Sequence, residues 1–321
     1  MHHNDPRELN RFEKEQLERV RRGPRAVPVP KAGFGPWMLG LMAGLLITFF
    51  VAAQALAESH GGDRVLSVGG SVTEIVYALG EEERLVARDT TSSWPEAASQ
   101  LPNVGYMRAL SPEGVLSVNP DIIIAEEGSG PPETIAVLEE ADIPFIKIPD
   151  GYDRAAVSAK ILAVGEALGV AEKAEALAAE VDAELGRVAD AVAARDGEAP
   201  RVMFILSTRG GRVMASGENT AADGIIEMAG AVNAVEGFDG YKQLTDEAII
   251  SAAPDVILMM SRGGDHATEN EELFAMPAMT TVPAAETQNV VRLNGLLMLG
   301  FGPRTPEAVT KLNDALFDNA S

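Results

Sequence analysis

The chain has no cysteine. That removes disulfides, thiolate metal sites, iron–sulfur clusters and cysteine nucleophiles, and with them the lipidated cysteine of a bacterial lipoprotein anchor. Histidine is scarce: four in 321 residues, of which only His60 and His266 lie beyond the first few positions. A histidine-rich zinc or manganese site is therefore not expected, and His266 reads as a solvated loop residue before it reads as a ligand. Aromatic residues make up 5% of the chain, and beyond residue 57 there is a single tryptophan, Trp94. Positive charge is also short, with 26 Lys/Arg against 48 Asp/Glu for a net charge of −22. So acidic a surface repels nucleic acid and anionic headgroups, and it makes arginines near loop tips informative. There is no G-x-S-x-G elbow, no H-E-x-x-H and no Walker loop, and the glycine pairs Gly69-Gly70 and Gly210-Gly211 lack phosphate-loop spacing.

Hydrophobic residues reach 46%, enough for a substantial core, and the length suits one large domain or two ordinary ones. The N-terminal segment reads as separate from the fold. Residues 1–36 are polar, the seventeen residues from Trp37 to Ala53 carry no charge, and Ala55-Leu56-Ala57 matches an A-x-A cleavage pattern. Residues 1–57 are thus expected to be a signal peptide cleaved after Ala57, with an uncleaved anchor as the alternative, and the bulk of the chain to be exported. The leading segment holds eight of the 26 basic and five of the 48 acidic residues, so the remainder carries 18 against 43.

An internal echo organises the rest. Residues 110–127, LSPEGVLSVNPDIIIAEE, match residues 244–261, LTDEAIISAAPDVILMMS, with six identities at an offset of 134, among them Glu113/Glu247 and Asp121/Asp255. Each copy reads as a short helix, a Pro-Asp break and a buried strand. Strand candidates also open each half, at Arg64–Val68 and Arg201–Leu206, followed by apolar helices that stop at Gly80 and Gly230. The expected fold is α/β: two Rossmann-like lobes with parallel sheets, residues 64–150 and 200–321, joined by a helical connector over 153–195. Within the connector, Gly165 and Gly169 suggest a break. A single long α-helix then runs from Ala171 to Arg195, roughly 30 Å, with Ala174, Leu177, Ala178, Val181, Leu185, Val188 and Val192 on one face.

Ligands of open α/β sheets sit beyond the carboxyl ends of the strands. Two candidate segments fall there. Tyr106 and Arg108 precede Leu110-Ser111-Pro112-Glu113, a helix start with serine at the N-cap and proline at the first position. In an extended segment their side chains share a side, and a guanidinium beside a phenol favours phenolate, a ligand that ferric iron accepts. A half-buried turn tyrosine with a solvated arginine is the plainer reading. Arg262 follows the strand Val256–Met260 in the second half and reads either as a cleft residue or as an exposed loop arginine. Acidic pairs such as Glu126-Glu127 read as solvated loop charges.

Ser71-Val72-Thr73-Glu74-Ile75-Val76-Tyr77-Ala78-Leu79-Gly80, the doubled Pro-Asp-strand unit, Thr220-Ala221-Ala222-Asp223-Gly224 and the central helix resemble the rigid-helix class of periplasmic substrate-binding proteins of ABC importers. The resemblance covers nearly all of residues 64–320. Val104-Gly105-Tyr106-Met107-Arg108 and the helix start after it are similar to the haem-binding branch. The resemblance implies a non-enzymatic periplasmic monomer that captures haem as cargo and hands it to a permease dimer with its ATPase. Tyr106 would ligate haem iron, Arg108 would support its phenolate, and Arg262 would contribute from the second lobe. Glu74 and Glu227 would be an exposed acidic pair, one per lobe, that docks onto the permease. The few histidines give little support to a second haem with a histidine ligand. The same fold carrying cobalamin or a ferric siderophore is the nearest alternative, and an exported α/β enzyme is the alternative of another class.

Overall fold

In the computed structural model the described residues are 62–317 apart from residue 196 and residues 262–268. The expected signal segment, Arg262 and His266 lie outside them. The first sheet contains β1 (Val65–Val68), β2 (Leu85–Arg88), β3 (Ile122–Glu126) and β4 (Phe145–Ile148) in the order β2-β1-β3-β4, all parallel. Both faces of these strands are covered, by α1 (Gly70–Ala78), α2 (Pro112–Leu116), α3 (Pro132–Glu139) and α4 (Arg154–Leu168), so Ile122, Ile123 and Ile124 are fully buried on alternate sides.

Two packed helices connect the sheets. α4 ends at Gly169, whose φ of 74° supplies the left-handed C-cap. α5 (Ala171–Ala193) follows at once, and Ala174, Ala178, Val181 and Leu185 form its buried stripe. Gly165 of α4 lets the two helices touch: a Cβ there would fall 2.1 Å from the Ala174 Cβ. α5 is therefore not a free rod, since it packs along α4 and also against the last helix.

The second sheet holds β5 (Arg201–Ser207), β6 (Met214–Ser216), β7 (Val232–Asn233), β8 (Tyr241–Gln243), β9 (Val256–Ser261) and β10 (Val290–Asn294), in the order β10-β9-β5-β6-β8 with β7 beside β5. It is mixed, which corrects the expectation of two parallel sheets. β5 and β6 are joined by the tight Arg209–Gly211 turn, and a connection that short forces an antiparallel hairpin, with β8 antiparallel on β6. Its helices are α6 (Ala221–Met228), α7 (Asp246–Ala252), α8 (Asn270–Phe274), α9 (Pro283–Thr287), α10 (Gly295–Leu299) and α11 (Thr305–Phe317).

The sequence echo is a structural one. Ser111 and Thr245 cap α2 and α7 by accepting from the Gly114 and Ala248 N–H groups at 3.1 and 3.2 Å. Asn119 and Ala253, 134 positions apart, both take positive φ, 49° and 42°. Asp121 and Asp255 accept from the backbone N–H of Arg64 and Arg201, at 3.1 and 2.9 Å, fastening each repeat to the strand that opens its lobe. The lobes then share one apolar cluster that runs from Val65 and Ile122 through Val181 and Leu185 to Val202 and Leu258.

Candidate functional site: the cleft between the two sheets

The carboxyl ends of β1, β3, β4, β5, β9 and β10 converge on a cleft of about 530 Å³, within the range typical of small-molecule sites. Thr90, Thr91, Ser93, Tyr106, Met107 and Arg108 form its first-lobe wall. Leu206, Ala221, Tyr241, Met260, Leu296 and Leu299 face them from the second lobe, and Ser71, Glu126, Asp150 and Tyr152 make the floor.

Buried Asp89 organises the first-lobe wall. It accepts from the Gly69 N–H at 3.0 Å, the Thr91 N–H at 2.8 Å and the hydroxyls of Thr91 and Ser92 at 2.7 Å. The Thr90 N–H donates to the Gly105 carbonyl at 2.8 Å, which ties this loop to the one carrying Tyr106. Gly105, at φ 107°, turns the chain toward the cleft in a conformation that a side chain would strain. Tyr106 and Arg108 do not lie on an extended segment. The Ala109 N–H donates to the Tyr106 carbonyl at 2.8 Å, so the stretch is a turn, pinned by the Gly130 N–H on the Met107 carbonyl and anchored by buried Met107. Both residues still line the cleft, and Tyr106 is 45% exposed. Among the described residues the Arg108 guanidinium has no carboxylate partner, and its charge bears on Tyr241 across the cleft.

Two tyrosines that sequence reasoning passed over also face this space. Tyr241 packs edge-on against Phe204, with centroids 6.3 Å apart. Burial raises its pKa, opposed by a hydrogen bond with Thr220, by Arg108 and by the Ala222 N–H. Tyr152 donates to Asp150 at 3.0 Å, and burial together with that carboxylate pushes its pKa well up. Both therefore stand as neutral phenols. A lone tyrosine on a short edge strand carries no sequence signal of this role.

Two further placements revise the sequence reading and one agrees with it. Glu74 is not exposed: it is 6% accessible, and Arg304 holds it with Nη2 2.7 Å from Oε2. Glu227, near the end of α6, is exposed as expected. Glu126 is not a solvated loop charge, because Lys160 Nζ lies 2.7 Å from its Oε1. The described residues contain no cluster of histidine, aspartate and glutamate suited to a metal ion. Met260, two positions before Arg262, lines the second-lobe wall.

Comparisons with known proteins agree with this architecture. The solved structure of the periplasmic heme-binding protein BhuT in complex with two hemes superposes with a TM-score of 0.76 at 42% identity, covering 80% of this chain and 99% of that one. The apo periplasmic heme-binding protein RhuT from Roseiflexus sp. RS-1 gives 0.77 at 38% identity, covering 81% and 100%. A cobalamin-binding protein of Halobacterium salinarum is 27% identical over 259 residues, 79% of this chain and 69% of its own length. A family model described as periplasmic binding protein matches residues 65–295, taking in every strand of both sheets, and the chain belongs to that family.

Proposed function

We propose that this protein is the periplasmic capture subunit of an ABC importer and that its cargo is haem. One observation carries the reading: an exposed phenol, Tyr106, lines the cleft together with Arg108, which has no carboxylate partner among the described residues, in a fold whose neighbours at 38–42% identity are heme-binding proteins. Haem enters edge-on between the sheets and Tyr106 binds iron as phenolate. Leu206, Met260, Leu296 and Leu299 cover the ring, and Arg108 offsets anionic charge at the rim. Arg262, which lies outside the described residues, is kept as the proposed second cation. The cargo is carried unchanged, with no bond made beyond iron coordination. The shared apolar cluster and the packed helix pair restrict the lobes to small movements, so release is driven by the transporter.

Docking onto the permease dimer falls to the acidic pair that the repeat itself provides. Glu113 and Glu247 are exposed in the first turns of α2 and α7, each with an exposed apolar neighbour one turn on, Leu116 and Ile250. The surface thus presents the same acid-plus-apolar patch twice, a match for a two-subunit partner bearing basic sockets. Buried Glu74 leaves that role, and Glu227 has no exposed mate in the first lobe at the matching helix.

Cobalamin is the second reading, favoured by the relatives of that name. Absorption titration separates the two. Hemin is expected to give a sharpened Soret band and a phenolate-to-iron charge-transfer band that Tyr106→Phe removes. Binding of hydroxocobalamin without any response to hemin would replace the haem reading, and the endpoint of the titration counts the rings.

A further inference from the structure

The cleft floor poses an electrostatic problem. Among the described residues Glu126, Glu127 and Asp150 line it, and Arg108 is the one lining cation. A ring bearing two carboxylates would meet a predominantly negative surface on a protein already strongly acidic.

Beneath that floor lies Lys160 of α4, with no solvent exposure at all. Its ammonium is 2.7 Å from Glu126 Oε1 and 3.0 Å from Asp150 Oδ1, and it donates to the Gly300 carbonyl at 3.2 Å and the Ser71 hydroxyl at 3.4 Å. All four acceptors belong to residues that line the cleft, whereas Lys160 itself does not reach it. They come from the ends of β3 and β4, from α1 and from the segment after α10, so one side chain gathers the floor from both lobes. A buried ammonium survives only when paired this fully, and apolar residues of similar volume commonly serve stability as well or better. The lysine therefore calls for a reason beyond holding the fold.

We infer that Lys160 is a specificity-determining positioning residue: its buried charge offsets one of the two carboxylate charges it bridges, on Glu126 and Asp150, and makes the cleft more compatible with a carboxylate-bearing ring. It acts through Glu126 and Asp150 and never touches the cargo. The inference rests on the haem reading and adds what selects among tetrapyrroles. It predicts that Lys160 governs the preference for free carboxylates over esters on one and the same ring.

The test measures affinity for hemin and for hemin dimethyl ester, which share iron and macrocycle and differ only in the two carboxylates. Lys160→Met is expected to weaken hemin about tenfold while leaving the ester within about twofold, the effect of one unit charge acting across a partly shielded site. The combined variant K160M/E126Q/D150N, which removes the three linked charges together, is expected to restore hemin. Should K160M not fold, E126Q/D150N with Lys160 intact is expected to raise the hemin-to-ester preference. Equal losses for both ligands in K160M, or an unchanged preference in E126Q/D150N, overturn the inference and leave the haem reading standing. A wild-type protein that gives no Soret response to hemin overturns both.

Discussion

Arg304, at the start of the last helix, grips Glu74 of the first helix with two donors: Nη2 lies 2.7 Å from Oε2, and the backbone N–H donates to Oε1 at 3.2 Å. The two residues are 230 positions apart and belong to different lobes. The guanidinium also lies 4.3 Å from the Trp94 ring centroid, so a second-lobe cation is clasped by two first-lobe side chains. Removing either member leaves the other as an uncompensated charge in a largely buried place, which costs about 3–5 kcal/mol. Glu74→Ala and Arg304→Ala are each expected to lower Tm by on the order of 10 °C. The double variant should cost clearly less than the sum, and strict additivity in thermal unfolding would refute the clasp.

Gly165 is expected to resist even the smallest side chain. Alanine in the middle of a helix gains up to about 1 kcal/mol over glycine, but here its Cβ would overlap that of Ala174, and overpacking costs about 1–3 kcal/mol. Gly165→Ala should therefore destabilise in denaturant melts, by shifting α4 away from α5. Gly210→Ala, in the open turn between β5 and β6, meets no such neighbour; its φ of 67° makes strain its only cost.

Glu81 is expected to contribute acid sensitivity. Burial raises its pKa, but hydrogen bonds and charge from Lys173 at 2.6 Å and Arg84 at 3.0 Å outweigh that and bring it below the ordinary value of 4.5. A folded-state pKa below the unfolded one means stability that is present above pH 4.5 and lost as the pH falls through the folded value. Glu81→Gln should lower stability at neutral pH and flatten this part of the acid limb. An acid limb unchanged by the substitution would exclude Glu81 as its source.

Docking and binding are expected to come apart. Glu113→Lys with Glu247→Lys should abolish uptake in cells or proteoliposomes while the hemin titration stays as in wild type, since neither residue lines the cleft. Glu227→Lys alone should leave uptake largely intact. Normal transport by the doubly reversed protein would remove the repeat-related patches from the interface.

The elements themselves were legible in the sequence because their signals are local. Ser111 with Pro112 starts α2, Gly169 ends α4, and the 134-residue echo reappears down to the shared positive φ at Asn119 and Ala253. Tyr106 and Arg108 were placed at the cleft for the wrong local reason: they ride a hydrogen-bonded turn, and Gly105 together with Met107, not strand alternation, aims them. What stayed hidden depends on distant partners. Nothing near Glu74 announces Arg304, and Lys160 looks like one more lysine of an alanine-rich connector until Glu126, Asp150 and Gly300 close around it. The antiparallel hairpin leaves only a weak local mark, the pair Gly210-Gly211, which lacks phosphate-loop spacing and forms the turn.

The contact of Trp94 with Arg304 makes the lobe junction visible to light. An indole stacked on a guanidinium emits differently from one in water, and any parting of the lobes would lift the cation from the ring. The sequence contains two tryptophans, Trp37 and Trp94. With Trp37→Phe, tryptophan fluorescence comes from Trp94 alone, and stopped-flow mixing with cargo or with the reconstituted transporter would time any parting of the lobes without an added dye.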